Sequence, residues 1–157
     1  MAKRKSRLVE QKSTKKKKAK KKTTKKKRKP WRIEFTFLGE PLTKSNAHKF
    51  YRGKVFIPAR IRNYEASLKA YAIQCMRRKK KRPISKLVRI KIVYYYGTKR
   101  RKDLMNLPKT TCDALNEAVY RDDSQIHEAS LKRRLDRKKP RVHIIIEEMS
   151  DSKWERG

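Results

Sequence analysis

Acidic residues are scarce in this chain of 157 residues, where 15 Asp or Glu stand against 49 Lys or Arg for a formal net charge of +34 with histidine neutral. So large an excess of base over acid makes polyanions the natural ligands. Cysteine is nearly absent, with two residues, and no apolar run approaches the roughly eighteen residues that a spanning helix needs. Those two shortages exclude a disulfide scaffold and a helical membrane protein. Cys75 and Cys112 lie far apart inside apolar patterns, so both read as buried free thiols in a reducing compartment. The residues after Met1 hold neither an apolar signal core nor a small-residue cleavage site. This predicts a protein that stays where it is made, in the cytoplasm beside DNA, or in the nucleus of a eukaryotic cell.

What is abundant is positive charge, and it falls into two parts. Residues 1–30 carry 17 Lys or Arg and one acid, Glu10, and almost no apolar side chains. Like-charge repulsion with nothing to bury predicts a disordered basic tail that tethers the chain to DNA or serves as a targeting arm. The lysine runs at 15–18 and 20–22 lack an apolar face, so an anionic membrane is a poorer partner than nucleic acid. Residues 31–149 retain enough apolar residues for one core, and residues 150–157 form a short C-terminal tail.

Within 31–149 the hydrophobic periods change several times. Ile33, Phe35 and Phe37 alternate with polar residues as a half-buried strand does. After a broken stretch and a short extended piece at Val55, Phe56 and Ile57, Pro58 opens a helix. In that helix Ile61, Tyr64, Leu68, Tyr71, Ala72, Cys75 and Met76 recur at spacings of three and four, with a basic outer face. Residues 87–96 are dense in β-branched and aromatic side chains and predict a central strand in which Tyr94 and Tyr96 are buried together. Asn106 is placed to cap a second helix carrying Leu107, Ala114, Leu115 and Ala118 on one face, with Pro108 in its first turn. Residues 125–135 and 141–148 read as a terminal antiparallel hairpin. The order β, α, β, α, β, β predicts an α+β fold, a mixed and mostly antiparallel sheet with two helices on one face.

The few acids cluster in one place. Lys99, Arg100, Arg101 and Lys102 lead into Asp103-Leu104-Met105-Asn106-Leu107-Pro108-Lys109, with Asp113 on the same helix and Asp122-Asp123-Ser124-Gln125 in the turn beyond. Carboxylates beside a phosphate-binding loop weaken its field and so need a purpose. Mg²⁺, or Mn²⁺ in its place, supplies one, because a hard cation bridges carboxylates to a scissile phosphate. Asp103 at a strand end and Asp123 in a turn are expected to meet at one rim of the sheet. Asn106, Lys109 and Asp113, three and four apart, share a helix side turned toward it, where Lys109 would stabilise phosphoryl charge. The plainer alternative is that Asn106 only caps, Lys109 only meets solvent and Asp103 only pairs with Arg101. His48 lies in a basic loop, and neither His127 nor His143 has metal-ligand spacing.

The run into Asp-Leu-x-Asn-Leu-x-Lys at 103–109, the Asp113-Ala114-Leu115-Asn116 helix, the 122–125 turn, the Pro41 to Asn46 loop and Tyr64 occur in the order found in RusA resolvases. Over roughly residues 35–148 the chain resembles that family of small homodimeric, Mg²⁺-dependent endonucleases, which cut four-way DNA junctions with paired symmetric nicks in DNA recombination and repair. The resemblance implies that Asp103 and Asp123 are metal-binding catalytic acids and that Lys109 assists, with Asp122 and Asp113 as further candidate metal ligands. Lys44, Asn46, Lys99, Arg100, Arg101, Lys102 and Asn106 would contact DNA. Many members carry a second aspartate where this chain has Met105, whose thioether is a poor ligand for Mg²⁺. Asp122 or Asp113 supplies that oxygen, or fewer ions bind, or the protein is a junction binder with little cleavage. The rival class is a non-catalytic architectural DNA- or RNA-binding protein, separated from a nuclease by whether a synthetic junction is nicked when Mg²⁺ is present.

Overall fold

The computed structural model describes residues 30–45, 47, 49–99 and 103–149, so the expected tails, Asn46, His48, Arg100, Arg101 and Lys102 lie outside the described residues. Six strands and two helices follow one another as β1 (Arg32–Leu38), β2 (Lys49–Tyr51), β3 (Lys54–Phe56), α1 (Ala59–Arg78), β4 (Val88–Tyr96), α2 (Pro108–Leu115), β5 (Ile126–Leu135) and β6 (Arg141–Glu148). Short 3₁₀ turns, Leu104–Asn106 and Asp123–Gln125, precede α2 and β5. The four-stranded sheet has the order β1-β6-β4-β5, and β2 pairs with β3 in a separate hairpin.

Strict alternation creates the sheet's single apolar face. Along β4, Val88, Ile90, Ile92, Tyr94 and Tyr96 are buried while the residues between them are half-buried, and β6 repeats the pattern with Val142, Ile144 and Ile146. Across that face lie Tyr64, Leu68, Ala72, Cys75 and Met76 of α1 and Ala114 and Leu115 of α2. One layer of helices thus covers one face, giving the expected α+β fold with a mixed, mostly antiparallel sheet. Tyr94 is fully buried, and its hydroxyl donates to Thr111 Oγ1 of α2 at 3.1 Å, so α2 is tied to the sheet by a polar contact as well as by packing. The opposite face carries paired charges, among them Arg32 with Glu34 and Glu147, Lys91 with Glu147, and Arg89 with Glu128.

Four local expectations are corrected. β5 and β6 do not form a hairpin, because β6 enters between β1 and β4, antiparallel to both, while β5 runs parallel to β4 at the sheet edge. Burial explains the choice: β6 brings three fully buried side chains and needs neighbours on both sides, whereas no residue of β5 is buried. Asn106 is not the cap of α2, for it ends the 3₁₀ turn that Asp103 caps, and Leu107 stands at the N-cap of α2. That helix stops at Leu115, and Ala118 packs into the core from the loop beyond it. Cys75 is buried as expected but Cys112 is only half-buried, although both thiols are free.

Candidate active site

The signature segment begins with a carboxylate that organises its own neighbourhood. Asp103 Oδ1 accepts the Met105 N–H at 3.0 Å and Oδ2 accepts Asn106 Nδ2 at 3.1 Å, which closes the 3₁₀ turn under an exposed carboxylate. Each carboxylate oxygen keeps a further lone pair for a ligand. Met105, in the place of the expected second acid, is exposed. Lys109 is exposed in the first turn of α2, where the unpartnered helix N–H groups also favour an anion.

A second segment is fastened to this one. The Thr43 hydroxyl donates to the Asn106 carbonyl, the Ser45 hydroxyl donates to the same oxygen at 3.2 Å, and the Lys44 N–H donates to Thr110 Oγ1 at 2.8 Å. The Lys44 side chain turns inward to an ion pair with Asp113 of α2 and reaches Glu65 of α1 at 3.3 Å. Burial alone would lower the Lys44 pKa, but the hydrogen bond it donates to Asp113 and the charge of Glu65 outweigh it, and the ammonium is held above its ordinary value. Lys44, expected on DNA, and Asp113, expected on metal, are therefore brought together with each other. Glu65 completes the cluster, and sequence reading passed over it because it is one polar residue on a helix read for its apolar stripe.

The Asp122-Asp123-Ser124-Gln125 turn divides its labour. Asp122 Oδ1 accepts the Ser124 N–H at 2.8 Å, and hydrogen bonding from the Ser124 hydroxyl, then from that N–H, holds its pKa below the usual carboxylate range. Gln125 Oε1 accepts the N–H groups of Arg121 at 2.8 Å and Asp122 at 3.0 Å, while Gln125 Nε2 donates to the carbonyls of Ile84 and Lys86. Asp122 and Gln125 build the turn and anchor it, leaving Asp123 exposed at the head of β5. Asp103 thus stands before α2 and Asp123 after it, and the 3₁₀ turn of Asp103 packs beside both α2 and β5. Asp113 and Asp123 are both close enough to act on the Cys112 thiol, which burial above all pushes up to about 11. A thiol so protonated is no nucleophile at neutral pH.

Among the described residues no three His, Cys, Asp or Glu are grouped to hold a metal ion. The donor chemistry nevertheless suits Mg²⁺, which takes one or two carboxylates and completes its shell with water and substrate phosphate oxygens. The basic loop gains partners that sequence reading missed: Lys99 shares a cleft with Tyr96, Thr98, Arg133, Arg134 and Leu135 at the end of the β4 and β5 pair. Arg133 and Arg134 escaped notice because only the parallel register, with Tyr96 opposite Leu135, carries them to a loop more than thirty residues away in sequence. Among the described residues no helix is long and apolar enough to cross a membrane.

No curated protein matches the chain. The family model for endodeoxyribonuclease RusA matches residues 39–147, a span that holds the Thr43 to Ser45 segment, the Asp103 turn, α2 and the Asp122 to Gln125 turn. With more than half its length so matched, and with the signature acids set on the turns that flank α2, the chain belongs to the RusA endodeoxyribonuclease family.

Proposed function

We propose that this protein is a Mg²⁺-dependent, structure-specific endodeoxyribonuclease that cuts Holliday junctions or other branched DNA as a homodimer, by paired symmetric nicks. The observation that carries the reading is the exposed carboxylate of Asp103, fixed at both oxygens on a turn that packs beside α2, which carries the exposed Lys109, and beside β5, which the exposed Asp123 precedes. Acids gathered in a phosphate-binding surface lower its affinity, so their presence there favours chemistry over simple binding.

In this reading Asp103 and Asp123 hold the ion, with Asp122 next to them, and the ion when bound supplies an activated water and neutralises phosphate charge. Lys109 and the N-terminal amides of α2 stabilise the negative charge that builds on the phosphoryl oxygens. Asn106 fixes the rotamer of Asp103 and is itself fixed by Thr43 and Ser45, which keeps the carboxylate at one position. Lys99, Arg133 and Arg134 hold a neighbouring phosphodiester and set the register of the strand without reading its bases. A twofold dimer presents two such sites to opposed strands of a pseudo-twofold junction, which yields paired cuts. The test is incubation with a synthetic four-way junction: symmetric nicks that require Mg²⁺ are expected. Tight junction binding with no nicks at any Mg²⁺ concentration would instead mark a non-catalytic binder.

A further inference from the structure

The hairpin of β2 and β3 stands apart from the core and exposes what a soluble chain ordinarily hides. Phe50 is 74% exposed, Val55 61% and Phe56 44%. The hairpin belongs to its own two-stranded sheet, in which the register sets Phe50 directly opposite Val55, Lys49 opposite Phe56 and Tyr51 opposite Lys54. Arg52 at φ 47° and Gly53 at φ 74° form its tip, both in the positive range that a tight two-residue turn demands. A two-stranded hairpin is marginal on its own in water, and these apolar side chains add nothing to the core. Their exposure therefore points outward, to something they contact.

The surroundings decide what that contact is. From residue 41 to residue 64 the chain has no acid and has Lys44, Lys49, Arg52, Lys54, Arg60 and Arg62. An apolar patch framed only by cations suits a polyanion that also offers flat apolar surface, and a nucleobase with its flanking phosphates is both. Placement agrees: Ser45 is bonded to the Asn106 carbonyl, and four residues of chain keep Lys49, at the base of the hairpin, within about 14 Å of Ser45. A DNA strand seated on the Asp103 turn would therefore lie within reach of the hairpin.

We propose that this hairpin is a wedge for branched DNA, in which Phe50, flanked by Val55, stacks on a base unpaired or unstacked at the branch point while Lys49 and Lys54 engage the adjoining phosphates. In an intact duplex every base is already stacked, so Phe50 finds no partner there. At a branch the stack is interrupted, and a base that slides onto an aromatic ring recovers what it lost. Stacking tolerates any base, so the wedge confers selectivity for structure and not for sequence. This inference rests on the DNA-cleaving reading above and extends it to substrate choice.

The test uses the full chain in EDTA, so that no cleavage occurs, with a four-way junction carrying 2-aminopurine at the branch point and a duplex of equal length. Phe50→Ala is expected to lose about tenfold in junction affinity, leave duplex affinity within about twofold, and abolish the 2-aminopurine change, while Phe50→Trp restores both. Since Phe50 lies outside the core, circular dichroism of the variants should match wild type. Junction affinity unchanged in Phe50→Ala, or an equal loss on duplex, overturns the wedge. So does a change of sedimentation to a smaller species, which would make a second copy of this chain the occupant. Wild-type nicking in Mg²⁺ without any 2-aminopurine change defeats the wedge alone. A 2-aminopurine change without nicking leaves the wedge standing and defeats the nuclease.

Discussion

Asp103 is at once a structural cap and the best-placed candidate ligand, and the two roles can be separated because Asn keeps one and loses most of the other. Its neighbour Met105 is open to solvent, and the rival oxygens are engaged, Asp113 by Lys44 and one oxygen of Asp122 by Ser124. Met105→Asp should therefore place a new carboxylate where the metal site is short of oxygen and lower the Mg²⁺ concentration for half-maximal junction cleavage by several-fold, as a metal titration of single-turnover rates will show. An unchanged or higher requirement would mean that the existing acids suffice. The Lys44, Asp113 and Glu65 cluster gives a second residue-scale prediction. Lys44→Met leaves two facing carboxylates without their cation and should cost about 1 to 2 kcal/mol at pH 7. In wild type the raised Lys44 pKa makes its contribution complete below the ordinary lysine value and lost as pH rises through the folded one, so alkaline destabilisation should be blunted in the variant.

At the scale of elements, the edge position of β5 and the central position of β6 make unequal demands on their side chains. Ile144 is fully buried in β6, whereas Leu131 of β5 is only partly buried against the core. Ile144→Ala should cost about 2 to 5 kcal/mol and Leu131→Ala about 1 kcal/mol by chemical denaturation, an order that a terminal hairpin of two equal strands would not give. The end of β6 is latched where the Glu148 carboxylate meets Lys86 and the Trp31 N–H, bonds that hold its pKa down. Its contribution is present above the unfolded carboxylate pKa and fades as pH falls through the lower folded value, so Glu148→Gln should flatten the acid limb of the stability profile slightly. Here the limits of sequence reading are physical. β1, α1 and β4 were legible because each carries a full period of buried residues that only one kind of element can satisfy. The pairing of β5 was not, since adjacency in sequence favours a hairpin and only competition for the sheet's centre decides otherwise. In the same way the acids at 103 and 122–125 were visible as a motif, while Glu65, Arg133 and Arg134 became visible only once helices and register had placed them.

The whole molecule joins two cationic parts, and of the net charge of +34, +16 belongs to the first thirty residues. Deleting residues 1–29 should leave the thermal transition unchanged, because their sequence has almost no apolar side chains to bury. It should weaken non-specific duplex binding and flatten its salt dependence, whose logarithmic slope scales as roughly 0.9 per phosphate neutralised. An equal slope would show that the tail does not touch DNA. The proposed chemistry is narrower than charge, since it rests on Asp103 and Asp123. Single-turnover cleavage and junction affinity measured on the same preparations of wild type, Asp103→Asn and Asp123→Asn test it most directly. The account predicts loss of nicking by at least a hundredfold in both variants, on the order of what removing one catalytic group costs, with junction binding equal or tighter. Nicking at the wild-type rate in either variant would contradict it.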